Sequence, residues 1–205
     1  IQHIIKQRYF EEEISNEVNL SYSDNQVTVT TDYPTLVYTL NSEGYASQCV
    51  YSLSSQNRIY QFSYSAEGYL TGIVENIDNT EYSSTSLTYE NGDITSISSK
   101  MNGLENKFIY EPGEESSTYH LPCLGLLEIH PLTFHIEALY AGLLGKDPRH
   151  FTIRSCPAGS NDEKTIYSYE FDKKGNPSRM ICQTTYAGGQ ASYYPYTRNI
   201  SVSFE

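Results

Sequence analysis

The sequence has no tryptophan and only two methionines, and its 13 lysines and arginines are outnumbered by 25 acidic residues. The net charge of -12 at pH 7 repels a phosphate backbone, and no basic cluster offsets it, so nucleic acid is not an expected partner. No segment approaches the roughly 18 consecutive apolar residues of a membrane-spanning helix. GxSxG, P-loop and GxGxxG motifs are also absent, which removes the usual sequence support for acyl hydrolases and nucleotide-binding enzymes.

Cysteine is sparse. Cys49, Cys123, Cys156 and Cys182 lie far apart, and no two of them form a CxxC pair. This spacing favours neither a zinc site nor thioredoxin-like chemistry. Three disulfide pairings are open in an oxidising compartment, and the sequence does not select among them. Because free cysteine is among the most buried residue types, we expect most of the four to be small buried apolar residues and not catalytic thiols.

Tyrosine, in contrast, is abundant, with 20 copies, and many of them fall in a short unit that recurs along the chain. Each copy has aromatic or apolar residues at alternate positions, then a polar run, a glycine and, two residues later, another apolar residue or a proline. The copies span 38–46, 62–70, 87–94 and 169–177. Such units predict hairpins of an antiparallel meander, in which glycine supplies the positive φ of a short turn.

Apolar residues that alternate with polar ones predict the strands. A first hairpin is expected to turn at Asp24 and Asn25, and a last strand to carry Ile200, Val202 and Phe204. The strands between them are predicted at 35–41, 45–53, 58–66, 69–77, 84–90, 93–100, 104–111, 150–156, 165–172 and 176–186.

The residues after each turn glycine break the strict period of two. Apolar residues fall at the second and fifth positions after the glycine, as with Leu70 and Ile73 after Gly68. A regular strand would place that pair on opposite faces of the sheet. The strand after each turn is therefore either buried on both faces near its end or carries a β-bulge that returns both residues to one face, and we favour the bulge.

The segment 112–148 departs from the meander and is interpreted as an insertion made of a polar loop and a helix. Apolar residues at helical spacing run from Leu132 to Leu144, after Pro131 and before Gly145 and Pro148. This predicts one α-helix that packs on the sheet or fills the mouth of a barrel. The predicted fold class is thus all-β, a single domain over 1–205, with a long antiparallel meander curled into a barrel or a half-open barrel and one α-helical insertion.

The units at 64–70 and 171–175 resemble the YD repeats of Rhs and wall-associated proteins, whose pattern is Tyr-Asp-x-x-Gly-x-Leu. Together with the Gly-Leu-Leu-Gly-Lys segment at 142–146, they are similar to a group of secreted lipoproteins of unknown function from gut bacteria. This resemblance implies an exported, tyrosine-rich, acidic β protein of the cell envelope. Contact with the membrane is then expected only through a lipid anchor that precedes Ile1 and has been removed from this sequence. The resemblance assigns no catalytic residues.

Glu128, His130, His135 and Glu137 form the densest run of titratable residues. The two histidines are five positions apart, which does not stack them on one helical face as the HExxH spacing does. We interpret them as ordinary residues at a helix entrance and assign no catalytic residue, no metal site and no cofactor. His150 is interpreted as a turn residue or the start of a strand, and not as a base.

The function favoured by the sequence is an exported, non-enzymatic binding or surface-structural module of a bacterial envelope. Its expected partner is a glycan or another surface protein, and neither ligand-binding residues nor an oligomeric state can be assigned. Tyr193, Tyr194 and Tyr196 could stack on sugar rings, although cross-strand packing is the favoured interpretation. The alternative is a secreted glycan hydrolase with a carboxylate pair on the concave face or the loops, because such an enzyme needs only two well-placed acidic residues.

Overall fold

The computed structural model describes residues 2–9, 12–30, 35–53, 56–116, 129–160, 163–171, 173, 177–185 and 196–201. The strands are β1 (Gln2–Tyr9), β2 (Glu12–Ser23), β3 (Gln26–Thr30), β4 (Leu36–Leu40), β5 (Ala46–Leu53), β6 (Gln56–Tyr64), β7 (Leu70–Ile77), β8 (Thr80–Glu90), β9 (Asp93–Met101), β10 (Leu104–Ser116), β11 (His150–Pro157), β12 (Lys164–Phe171), β13 (Pro177–Thr185) and β14 (Tyr196–Ser201). A 3-10 turn (Leu132–Phe134) and helix α1 (Ile136–Tyr140) lie between β10 and β11.

Each of these strands pairs antiparallel with the next one along the chain. The predicted all-β meander is therefore confirmed. The first strand also pairs with the last, in a register that places Lys6 opposite Ser201 and Arg8 opposite Asn199. This pairing joins the described strands into a barrel.

The predicted bulges are present in all four glycine-containing units. In β7, Gly72 pairs with Ser63 and Leu70 pairs with Tyr64, so Thr71 has no opposite residue. Leu70 and Ile73 are consequently both buried on one face. The equivalent unpaired residues of the other units are Ser47, Thr95 and Ser178.

Every one of these bulge positions carries a hydroxyl side chain. Ser47 Oγ donates to the carbonyl oxygen of Thr39 at 3.1 Å, and Thr95 Oγ1 donates to that of Thr88 at 3.3 Å. The hydroxyls of Ser47 and Thr95 thus bond to the partner strand at the point where the regular ladder is interrupted.

The inner face of the barrel wall is apolar and filled. In β6, for example, buried Tyr60 and Phe62 alternate with exposed Gln61 and Ser63. The buried strand residues form one core with buried residues of the segment between β10 and β11, which we call the insertion and which is described over 129–149. The insertion residues in this core are Ile129, Leu132, Ala138, Leu139, Leu143 and Leu144.

The prediction of one helix from Pro131 to Leu144 was wrong in its length. Helix α1 has five residues, and Gly142, with φ of +70°, ends the helical course before the predicted stop at Gly145. Apolar residues at helical spacing arise here because the insertion is surrounded by the barrel wall, and burial alone produces that pattern. No helix in the described ranges has the length and hydropathy needed to cross a bilayer.

The predicted start of the insertion at Pro112 was also wrong, because β10 continues to Ser116. The pairing of β10 with β11 shifts register on both sides of Pro112. Proline has no amide proton to donate to the ladder, so an irregular pairing at this position is expected.

Candidate functional site: the insertion inside the barrel

The inner part of the insertion is held by a buried carboxylate, that of Glu75 in β7. Its side chain is 0% exposed and shares the inward face with Ile73. Oε1 accepts hydrogen bonds from Arg58 Nη1 at 3.1 Å and from Tyr60 Oη at 3.2 Å. Oε2 accepts from Ser83 Oγ at 2.8 Å and from Nε2 of His130. We call these five residues the Glu75 cluster.

The contacts of the Glu75 cluster favour the charged carboxylate. Burial by itself would raise the pKa of Glu75, but the hydrogen bonds from His130 and Ser83 more than offset it, so the pKa lies below its usual value. A carboxylate offers about four acceptor positions, and four donors occupy them here. Glu75 therefore has no open lone pair for a metal ion or for a proton from substrate, and no described group of three or more His, Cys, Asp or Glu residues could bind a metal.

The backbone at His130 is held as well as its ring. The hydroxyl oxygens of Thr85 in β8 and Ser99 in β9 each lie 3.1 Å from the carbonyl oxygen of His130. The ring of His130 meets those of Tyr82 and Phe134 edge to face, with centroids 6.0 and 5.6 Å apart. Strands β7, β8 and β9 thus all contribute side chains that contact this one residue.

His135 lies deeper and has different partners. It is 0% exposed, its Nδ1 lies 2.8 Å from Tyr38 Oη, and its ring meets those of Tyr60 and Phe62 edge to face at 4.4 and 5.2 Å. Nε2 has no hydrogen-bond partner among the described residues. Burial lowers the pKa of His135 to about 3, so the imidazole is neutral near pH 7.

The titratable run that stands out in the sequence does not form one site. His130 bonds to Glu75 and His135 to Tyr38, while Glu128 lies outside the described residues. Glu137, in the first turn of α1, has a pKa raised by burial.

A second carboxylate, Asp93, fastens the outer end of the insertion. Strand β11 begins at His150, whose backbone amide donates to Asp93 Oδ1 and whose Nδ1 lies against Asp93 Oδ2, both at 2.8 Å. The side chain of Asp93 is 8% exposed and that of His150 is 31% exposed. The chain is therefore fixed at the point where it leaves the insertion and re-enters the wall.

Asp93 occupies a position that is aromatic in two of the other units, directly after the turn glycine. The aromatic residues there lie against the next hairpin, with Tyr45 against Tyr64 at 5.3 Å and Tyr69 stacked on Tyr89 at 4.9 Å between centroids. Asp93 also contacts the next element, but through hydrogen bonds. The Tyr193–Tyr196 cluster cannot be compared in this way, because 193–195 lie outside the described residues.

The described cysteines follow the expectation of buried apolar residues in two cases of three. Cys49 and Cys182 are buried, Cys156 is partly buried, and no disulfide joins any two of them. Burial raises the pKa of Cys49 to about 12, which keeps its thiol protonated. Cys123 lies outside the described residues.

The residues that matter most here, Arg58 and Glu75, were missed by the sequence analysis. Both fall in strands that the sequence analysis predicts. Arg58 lies two positions from buried Tyr60, and Glu75 lies two positions from buried Ile73, so each shares the inward face of its strand. Two opposite charges at inward positions of adjacent strands were the available signal.

The fold and these contacts define a filled antiparallel barrel whose insertion is bound to its inner wall. The chain belongs to the family described as a domain of unknown function (DUF4595) with porin-like fold, whose model matches residues 1–179. Among solved structures it is similar to a porin-like protein from Bacteroides uniformis ATCC 8492, with a TM-score of 0.82 and 25% identity over 100% of this chain and 84% of that one. No curated protein matches the chain.

Proposed function

We propose that this protein is an exported, non-enzymatic binding or surface-structural module of a bacterial envelope, attached by a lipid anchor. The observation that carries the proposal is the saturation of its buried acidic groups. Glu75 accepts from four donors, and both oxygens of Asp93 bond to His150. Glu75 and Asp93 are thus engaged in holding the insertion, which favours an architectural role for these two carboxylates over acid or base catalysis.

The filled interior favours the same role. Apolar residues of the insertion and of the wall form a single core. The described part of the barrel therefore favours a function at the outer surface and not the passage of solutes through the centre. The porin-like relative from a Bacteroides species supports placement in a bacterial envelope. The partner is proposed to be a glycan or another surface protein, met by the outer face or the turns.

The rival glycan hydrolase requires one carboxylic acid and one carboxylate that are both open to a sugar. The contacts of Glu75 and Asp93 do not favour it. The two functions are separated by incubating the purified protein with a panel of host and dietary glycans while following both thermal shift and release of reducing ends. We expect a shift in melting temperature with at least one glycan and no release, whereas sustained release would overturn the proposal in favour of the hydrolase.

If the partner is a surface protein, the glycan experiment should give a third result. In that case no glycan shifts the melting temperature and no reducing ends appear, while intact bacterial cells that lack the protein retain it after washing. Retention that survives removal of cell-surface polysaccharide and is lost after surface proteolysis identifies the protein partner. Absence of both glycan binding and cell retention would contradict a binding role.

A further inference from the structure

The last seven residues of the insertion, 143–149, cross the barrel rim where the glycine turns lie, and we call this segment the strap. It meets three successive hairpins at intervals of three residues. The amide of Ala46 donates to the carbonyl of Leu143 at 2.7 Å. The amides of Lys146 and Arg149 donate to the carbonyls of Gly68 and Gly92, at 2.9 and 3.0 Å.

These three hydrogen bonds join backbone atoms of the strap to backbone atoms of the hairpins. The hairpins involved are β4–β5, β6–β7 and β8–β9, and each contributes a group at or just after its turn. The first hairpin donates the amide of Ala46, whereas the other two accept through the carbonyls of their turn glycines, Gly68 and Gly92. The three-residue spacing of Leu143, Lys146 and Arg149 along the strap thus matches the spacing of the three turns along the rim.

The strap approaches the β6–β7 hairpin most closely at Gly145, where only a glycine fits. Gly145 has φ of +90°, and a Cβ atom on it would lie 2.7 Å from the carbonyl oxygen of Gly68 and 3.0 Å from the ring of Tyr64. No other residue fits there without moving the strap. Gly142, with φ of +70°, has no atom within 4 Å of such a Cβ and is therefore a natural comparison.

The chain on both sides of the strap is held by side-chain hydrogen bonds to the wall. Before the strap, His130 of the insertion bonds to the buried carboxylate of Glu75. After it, Asp93 fixes His150 through both the backbone and the ring. Between these fixed points the backbone of the strap is joined to the rim by the three evenly spaced hydrogen bonds.

The floor beneath the strap is apolar. A small cavity there is lined by Leu70, Tyr89 and Leu139 from below and by Leu144 and the segment 145–148 of the strap. Displacing the strap would open this floor to solvent without separating any pair of wall strands.

We propose that the strap is a lid that lifts as a unit from the three turns while the barrel stays folded, opening the chamber over Leu70, Tyr89 and Leu139 to small apolar molecules. In the closed state the side chain of Leu144 fills that chamber. The inference does not depend on the envelope role proposed above, because it concerns only the strap, the turns and the chamber.

Amide hydrogen exchange on the wild-type protein is the first test. The amides of Ala46, Lys146 and Arg149 should exchange with one common opening equilibrium, at least about tenfold larger than that of the wall amides of Phe62 and Ile73. Exchange of all five with one equilibrium would mean that the strap opens only when the barrel unfolds, which would overturn the proposal. This measurement needs no variant.

The matched pair Gly145→Ala and Gly142→Ala is the second test. Both place an alanine at a positive φ, but only Gly145→Ala collides with the rim. It should raise exchange at the three strap-bond amides at least about tenfold and increase binding of the apolar dye anilinonaphthalene sulfonate, with the wall amides unchanged. Gly142→Ala should change neither readout by more than about threefold. Equal effects of the two variants would overturn the lid. If Gly145→Ala does not fold, the wild-type exchange pattern decides alone.

Discussion

His130 donates to the carboxylate of Glu75 across 55 positions of sequence, and this contact places the inner part of the insertion against strand β7. The carboxylate is wholly buried, whereas the side chain of His130 is 26% exposed. A charge in that position is tolerated because Arg58, Tyr60 and Ser83 complete its hydrogen bonds. The filled barrel therefore rests on a polar contact as well as on its apolar core.

Removing the charge of Glu75 should destabilise the protein. Glu75→Gln keeps the size of the side chain but leaves Arg58 without its counter-charge and replaces the carboxylate that accepts from His130 by an amide. Breaking a buried pair costs about 3–5 kcal/mol, and because Arg58 and His130 are 22% and 26% exposed we expect roughly 2–3 kcal/mol. Urea unfolding measures this loss. Glu81→Gln, at an exposed position of the adjacent strand, is the matched control and should change the free energy of unfolding by less than about 0.5 kcal/mol.

His135 should make stability depend on pH in a defined window. Its folded pKa of about 3 lies below the ordinary value of 6.5, so between these values the unfolded chain binds a proton that the folded chain does not. Stability contributed by this residue is therefore complete above pH 6.5 and falls as the pH is lowered towards 3, by up to roughly 5 kcal/mol.

The measurement for His135 is the free energy of unfolding against pH for the wild type and for His135→Phe. Between pH 6.5 and 3, the free energy of unfolding of the variant should depend less steeply on pH than that of the wild type. The difference in slope should correspond to the uptake of up to about one proton on unfolding, whatever the absolute stability of the variant. His150→Gln serves as a control that retains the contribution of His135. An unchanged slope in His135→Phe would show that His135 is not buried as a neutral ring.

The bulges predict an asymmetry between two deletions in β7. Removing Thr71, which has no opposite residue, leaves Leu70 and Ile73 on one face of a regular strand. We expect a folded barrel that loses about 1–2 kcal/mol. Removing Val74, which pairs with Gln61, turns Glu75 and every later residue of the strand to the opposite face. That protein should not fold, as judged by circular dichroism and proteolysis, and equal tolerance of both deletions would contradict the assigned register.

Cys49 should be nearly inert in the native protein. In a variant with serine at positions 123, 156 and 182, the remaining thiol is buried in the core and its pKa is about 12. A disulfide reagent at pH 8 should then react only as fast as the protein opens, and fully once denaturant is added. Rapid native labelling would refute the buried position of β5.

Most strands of the barrel wall can be predicted from the sequence. For β7, the predicted range 69–77 agrees with the observed strand Leu70–Ile77 to within one residue. The prediction succeeds because the two-residue period and the turn glycines are local signals. Even the bulge at Thr71 follows from the spacing of Leu70 and Ile73, since only an extra residue can bring that pair to one face.

The insertion and the site were less predictable because their causes are not local. The spacing from Leu132 to Leu144 imitates a helix although the chain is buried by the surrounding wall, and periodicity does not distinguish the two cases. Glu75 and His130 meet only once the barrel has formed. The backbone bond between Lys146 and Gly68 involves no side chain at all, so no residue pattern could reveal it.

The central claim, that the insertion lies inside the barrel wall, is tested most directly by nuclear Overhauser effects from the imidazole protons of His135. The centroids of its ring and the rings of Tyr60 and Phe62 are 4.4 and 5.2 Å apart. We expect strong cross-peaks to the ring protons of both β6 residues. Cross-peaks confined to residues of the insertion itself would contradict the account.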